Sequence, residues 1–208
     1  MTRSSRPDSR TGTFYDKSYF DKWYRHPKHR VKSVLDVARQ ARFVVAAVEY
    51  LLERQLRTVL DVGSGEGNWL PALRRLRPKV RYFGVDASEY AVKRWGARRN
   101  IRLGTFGSLG TLALPGEFDL VLCCGVLMYL GADELRAGLT EIRRLSDGVC
   151  YFEAFTAEDD VTGDFDRQTA RSAAWWRKEF ARAGFVSCGL HLYVPAELRH
   201  VAAALERA

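Results

Sequence analysis

Apolar positions along this 208-residue chain change their spacing as the chain runs. Between residues 34 and 56, Val34, Val37, Ala41, Val44, Val45, Val48, Leu51 and Leu52 recur every three or four positions. That is the period of one helical face, and it predicts a long helix packed on a sheet ahead of the first strand. Beyond it, short apolar runs at 58–62, 80–85, 101–105, 118–124 and 149–154 alternate with helical patterns at 68–77, 88–98 and 132–145. Strands that alternate with helices pair in parallel, and the right-handed crossover winds the helices onto both faces of one sheet. The expected fold is therefore α/β, a doubly wound and mostly parallel sheet. Ligands then belong beyond the carboxyl ends of strands one and four, where the winding reverses.

Both ends depart from that rhythm. Residues 1–12 are polar and rich in Ser and Arg, which predicts a disordered basic arm. Residues 13–57 are expected to form a helical cap, dense in aromatics at Phe14, Tyr15, Tyr19, Phe20, Trp23 and Tyr24. Phe20, Trp23 and Tyr24 share a helical face, and His26–Pro27 ends the helix. The core then runs over 58–208. Its last part predicts a helix at 171–183, one strand at 185–194, and a helical tail after Pro195. Either the final hairpin is shortened, or residues 185–194 bend to serve as both of its strands.

The densest chemical signal is the stretch LDVGSGEGN at 60–68. An apolar strand ends in an acid, and Gly63, Gly65 and Gly67 follow at alternate positions. Residues without Cβ let the backbone turn sharply and lie close against a ligand. The dinucleotide pattern G-x-G-x-x-G would need its third glycine at Asn68, so it fails by one position. Asp61 would also repel a pyrophosphate, whereas it suits the ammonium of an amino acid. About twenty residues on, Asp86 closes the second strand, where an acid can accept hydrogen bonds from both ribose hydroxyls.

With its D-x-G-x-G loop and the segment EFDLVLCCGVLMYL, the chain resembles class I S-adenosylmethionine-dependent methyltransferases over roughly residues 60–155. The resemblance implies a Rossmann-like methyltransferase fold and S-adenosyl-L-methionine as cofactor, with S-adenosyl-L-homocysteine as product. It implies that Asp61 meets the methionyl ammonium, that Gly63, Ser64 and Gly65 run beside the sulfonium, and that Ala87 lies next to the adenine, with Asp86 on the ribose. Much of that family binds the adenine amino group with an acid after strand three. GTFGSL stands here instead, so backbone at Thr105 and Phe106 would substitute. Cys124 and Gly125 would line the pocket, and Tyr19 with its aromatic neighbours would cover it.

Composition narrows the rest. Hydrophobic content of 47% and charged content of 28% suit a soluble globular domain, and no apolar stretch nears the roughly 20 residues a bilayer span needs. The N-terminus lacks the apolar centre of a signal peptide, so the cytoplasm is expected. Cys123, Cys124, Cys150 and Cys188 make no Cys-x-x-Cys pair, which argues against zinc and redox chemistry; no metal is expected. Of the +8 net charge, the first 30 residues carry most, with eight bases against three acids. That locates the excess in the N-terminal segment, away from the rest of the chain, and disfavours nucleic acid as a partner.

On the acceptor side, Glu153 at the end of strand five is the general-base candidate, Tyr129 an orienting hydroxyl, and His191 a further catalytic candidate in the last strand. The structural alternatives are an ion pair for Glu153, core packing for Tyr129 and an ordinary strand histidine for His191. Met128 follows strand four beside Tyr129, and the acidic segment TAEDDVTGDFD after strand five could close over a cationic substrate. The N/D-P-P-Y/F motif of many nucleic-acid and protein N-methyltransferases is absent. The expected enzyme is thus a methyltransferase acting on an oxygen, nitrogen or sulfur of a small molecule, in natural-product biosynthesis, as a monomer or homodimer. An RNA-modifying enzyme using the basic arm and a non-catalytic S-adenosylmethionine-binding protein are the alternatives.

Overall fold

A computed structural model describes residues 14–160 and 168–205; the basic arm and most of the acidic segment lie outside them. The cap opens with α1 (Lys17–Phe20), whose N-cap Asp16 accepts from the Tyr19 amide, and continues as a π-helical turn over Asp21–Arg25. Then α2 (Val34–Leu52) begins at a capping box, Ser33 and Asp36 each satisfying the other's amide. It buries Val37, Ala41, Val44, Val45 and Val48. The helix stops four residues before the predicted 56, because Glu53 turns left-handed at φ 53°.

Seven strands form one sheet: β1 (Thr58–Val62), β2 (Arg81–Asp86), β3 (Ile101–Leu103), β4 (Phe118–Cys124), β5 (Ser146–Glu153), β6 (Phe185–Ser187) and β7 (Leu192–Pro195). Their spatial order is β3-β2-β1-β4-β5-β7-β6, with β7 alone antiparallel to its neighbours. The connecting helices are α3 (Trp69–Leu76), α4 (Glu89–Arg99), α5 (Ala132–Leu145) and α6 (Ala173–Arg182). Strand residues alternate between two apolar layers. Val59, Leu120 and Leu122 face α2 and α3, while Leu60, Val121 and Cys123 face α5 and α6. The doubly wound sheet expected from the pattern is the fold.

The C-terminal end follows the second alternative. Residues 185–194 do bend to make both strands, so a seventh strand is present and the hairpin is short. Three consecutive left-handed residues, Gly189, Leu190 and His191 (φ 79°, 50° and 65°), make the reversal. His191 therefore sits in a turn and not within a strand. The tail after Pro195 is a 3₁₀ turn, Ala196–Val201.

Candidate active site

The loop leaving β1 sets the geometry. Gly63 and Gly65 have φ of 72° and 54°, which side chains rarely adopt, and a Cβ there would collide with Val126 and the Tyr24 hydroxyl respectively. The Gly63 and Ser64 amides donate to the Val85 carbonyl at 2.8 and 3.1 Å, so the loop lies against the end of β2. The Gly65 amide then donates to Asp86 Oδ2 at 2.6 Å, and the Ser88 amide to Oδ1 at 2.9 Å. Burial raises the Asp86 pKa and these two amides oppose it. Each oxygen keeps a further lone pair for a hydroxyl donor.

Asp61 differs in kind. It is 2% exposed, and among the described residues its carboxylate accepts one hydrogen bond, from the Tyr82 hydroxyl at 2.6 Å. Burial pushes its pKa up to about 7, against the Tyr82 bond and with help from the charge on Asp86. A buried carboxylate with a phenol as its one partner is what an incoming ammonium completes. Together with the Cβ-free loop, it makes a fitting cradle for an amino-acid nucleoside.

Two adjoining cavities open beyond β1 and β4. The first, about 270 Å³, is lined by Gly65, Asp86, Ala87, Thr105 and Phe106. The second, about 440 Å³, is lined by Asp61, Ser64, Lys32, Glu153, Trp69 and Phe155, among others. Gly63, Cys124, Gly125, Tyr129, Tyr19 and Tyr24 line both. All eleven residues expected at the cofactor thus line one cavity or the other. Within the first, β3 ends at Leu103, so Thr105 lies past the strand, with its amide donated to Ser108 Oγ at 2.9 Å. The Phe106 ring is pressed against Gly138 of α5 and is 3% exposed. Burial and Glu153 raise the Cys124 pKa well above its usual value, so it is a neutral wall and no nucleophile.

At the floor of the second cavity, Lys32 Nζ donates to both Glu153 oxygens at 2.8 and 2.5 Å. The Gln40 amide adds 2.7 Å to Glu153 Oε1 and reaches the Tyr151 hydroxyl at 2.8 Å. Burial of Glu153 is thus offset by a cation and an amide, unlike the isolated carboxylate the general-base candidate called for. Tyr129 is half-buried between the cavities, whereas His191 is exposed, touches the Tyr151 ring edge-on at 5.9 Å, and lines neither cavity.

The cap roofs both. Phe20 is buried against Tyr24 and Tyr90, Ser88 donates to the Tyr15 carbonyl at 2.5 Å, and Arg25 pairs with Glu66 inside the glycine loop. Burial raises the Tyr24 pKa far above its usual value, with Asp86, Tyr19, Asp61 and Glu66 adding to the effect. Sequence inspection missed Lys32, Gln40, Glu66 and Tyr82. Only Tyr82 carried a usable signal, since Asp61 pairs with Gly84 and strand residues two apart share a face. Among the described residues, no group of three or more His, Cys, Asp or Glu side chains could hold a metal ion, and no helix is long and apolar enough to cross a membrane.

Residues 59–147, which carry this loop and the switch point, match the family model described as a methyltransferase domain. The chain carries a methyltransferase domain. Solved methyltransferases share its fold at low identity. The amino pentose methyltransferase CalS10 of Micromonospora echinaspora, bound to S-adenosylmethionine and involved in calicheamicin biosynthesis, is 18% identical, with a TM-score of 0.60 over 78% of this chain and 90% of that one. DesVI of Streptomyces venezuelae is 16% identical, with a TM-score of 0.61 over 77% and 92%. The magnesium protoporphyrin IX methyltransferase ChlM of Synechocystis PCC 6803 is 20% identical, with a TM-score of 0.57 over 89% and 90%. No curated protein matches this chain in sequence.

Proposed function

We propose that this methyltransferase acts on a small molecule held in the second cavity, and that the first holds the adenosine of S-adenosylmethionine. The observation that carries the proposal is the shared wall of the two chambers, Gly63, Cys124, Gly125 and Tyr129 under the roof of Tyr19 and Tyr24. The cofactor supplies an electrophilic methyl group on a sulfonium, and the chain aligns the two partners. Asp86 takes the ribose hydroxyls and Asp61 the ammonium, with Ala87 and Phe106 bounding the adenine. Gly63, Ser64 and Gly65 pass beneath. The reacting atoms then meet at the shared wall, and holding them there at about 3–3.5 Å supplies most of the acceleration.

The second cavity supports a compact acceptor. At about 440 Å³ it falls within the usual range for small ligands, and the methionyl chain reaching Asp61 takes part of it. Trp23, Trp69 and Phe155 give it apolar walls over the Lys32–Glu153 floor. Glu153 accepts a hydrogen bond from the acceptor's nucleophile, Lys32 and Gln40 fix which of its lone pairs faces the chamber, and Tyr129 orients the same group. His191 has no part in this arrangement. Amino pentose and porphyrin methyltransferases among the structural neighbours are consistent with a small acceptor. Cys123, Cys124, Cys150 and Cys188, none of them in a disulfide among the described residues, suit a reducing cytoplasm.

Calorimetry with S-adenosylhomocysteine, and release of that product from S-adenosylmethionine with panels of small hydroxyl, amine and thiol acceptors, test the proposal. Binding and turnover are expected to survive high salt and deletion of residues 1–12. Turnover on RNA alone that collapses under either change would favour the RNA-modifying alternative. Binding with no turnover on any acceptor would favour a non-catalytic protein.

A further inference from the structure

Three side chains close the floor of the second cavity, and their hydrogen bonds can be counted. Lys32 Nζ carries three N–H groups and meets three acceptors: Gln40 Oε1 at 2.9 Å, Glu153 Oε1 at 2.8 Å and Glu153 Oε2 at 2.5 Å. Gln40 uses both of its amide N–H groups, on Glu153 Oε1 at 2.7 Å and on the Tyr151 hydroxyl at 2.8 Å. Neither Lys32 nor Gln40 has a donor left over. Glu153 Oε1 already accepts twice and Oε2 once, so the spare lone pair of the floor is on Oε2.

The charges agree with that count. Asp61, Glu153 and Asp160 line this cavity against one base, Lys32, which is already paired. Asp160 is exposed, and no base among the described residues pairs with it. Turning Lys32 toward an anionic ligand would strand Glu153, 7% exposed, without its cation. We propose that the second cavity takes acceptors whose reacting group donates a hydrogen bond, a hydroxyl or an amine, and excludes carboxylates and phosphates. This selection rests on the assignment of the second cavity to the acceptor. A group that brings a hydrogen meets the Oε2 lone pair, whereas one that brings only lone pairs meets no free donor on the floor and faces acids. The plain alternative is an ion pair that only ties the cap to the sheet, a role indifferent to the acceptor's chemistry.

The test is calorimetry on protein saturated with S-adenosylhomocysteine, using three ligands that share an indole: tryptamine, tryptophol and indole-3-acetate. Their rings suit the Trp23, Trp69 and Phe155 walls, and their end groups are an amine, a hydroxyl and a carboxylate. Tryptamine and tryptophol bind at least about tenfold tighter than indole-3-acetate, and the tighter of the two names the nucleophile. Glu153→Gln, whose amide can turn an N–H to the chamber, narrows the gap between tryptophol and indole-3-acetate to about threefold. Lys32→Met, which leaves the carboxylate without its cation, widens that gap. Indole-3-acetate binding as tightly as the other two, or best and only while Lys32 is present, overturns the selection and leaves the chamber assignment standing. A Glu153→Gln protein that keeps the parent's full preference overturns it too. Protein that takes up none of the three overturns the chamber assignment and the selection with it.

Discussion

The two chambers are built by opposite means. In the nucleoside chamber, Asp86 is oriented by amides at positions 65 and 88, on the turns that follow β1 and β2. The acceptor chamber takes its floor from partners far apart in the chain: Lys32 and Gln40 stand 121 and 113 residues from Glu153. Backbone near in sequence orients the key acid of the first, whereas the floor of the second is assembled across the sheet, although the cap roofs both. On the proposed assignment, the difference separates a part that must suit one cofactor from a part free to change with the acceptor.

The largest expected effect breaks the ammonium site where the chambers adjoin. Asp61→Asn should weaken S-adenosylhomocysteine binding roughly 10- to 100-fold at pH 8, read by calorimetry. With the Asp61 pKa at about 7 in the folded protein and near 3.8 when unfolded, the folded state retains a proton that the unfolded state releases between those values. Stability of the ligand-free protein should therefore fall as pH rises from about 4 to 7, and the Asn variant should lack that component of the decline. Ligand binding needs the ionised form, so affinity should climb through about pH 7 in the parent and stay flatter in the variant. A parent whose affinity ignores pH over this range would refute the ammonium contact.

Next in size, Asp86→Ala should cost about 1–2 kcal/mol of cofactor affinity, roughly 5- to 30-fold. Unchanged calorimetric affinity would remove the ribose assignment. Smaller still, Glu153→Gln should lower turnover about tenfold while leaving S-adenosylhomocysteine affinity within about twofold. A matching loss in both would mean that the chambers are not separable. The smallest effect belongs to His191→Ala, expected to leave turnover within about twofold because the ring lines neither cavity. A loss of an order of magnitude would place it in the acceptor chamber after all.

These differences also govern what could be read from the chain. The β1 loop, Asp86 and the strand order were legible because each depends on neighbours in sequence: an apolar period, glycines at a tight turn, an acid at a strand end. Boundaries slipped where one backbone angle decided them, as at Glu53 and at Gly189–His191. Lys32 carried no signal, because nothing local marks a lysine that will meet a carboxylate across the sheet. Glu153 was found by its strand position, yet its partners changed its chemistry. Phe106 lines the first cavity as expected of its position, and the packing of its ring against Gly138 is a tertiary contact that nothing local in the chain marks.

The outermost strands, β3 and β6, are each three residues long. So few unpaired amides give a foreign strand little to zip onto, and the sheet cannot easily be extended from either side. Two copies that associate would have to meet through helices or the cap. Self-association through the cap would then be felt at the roof of the two cavities and not along the sheet.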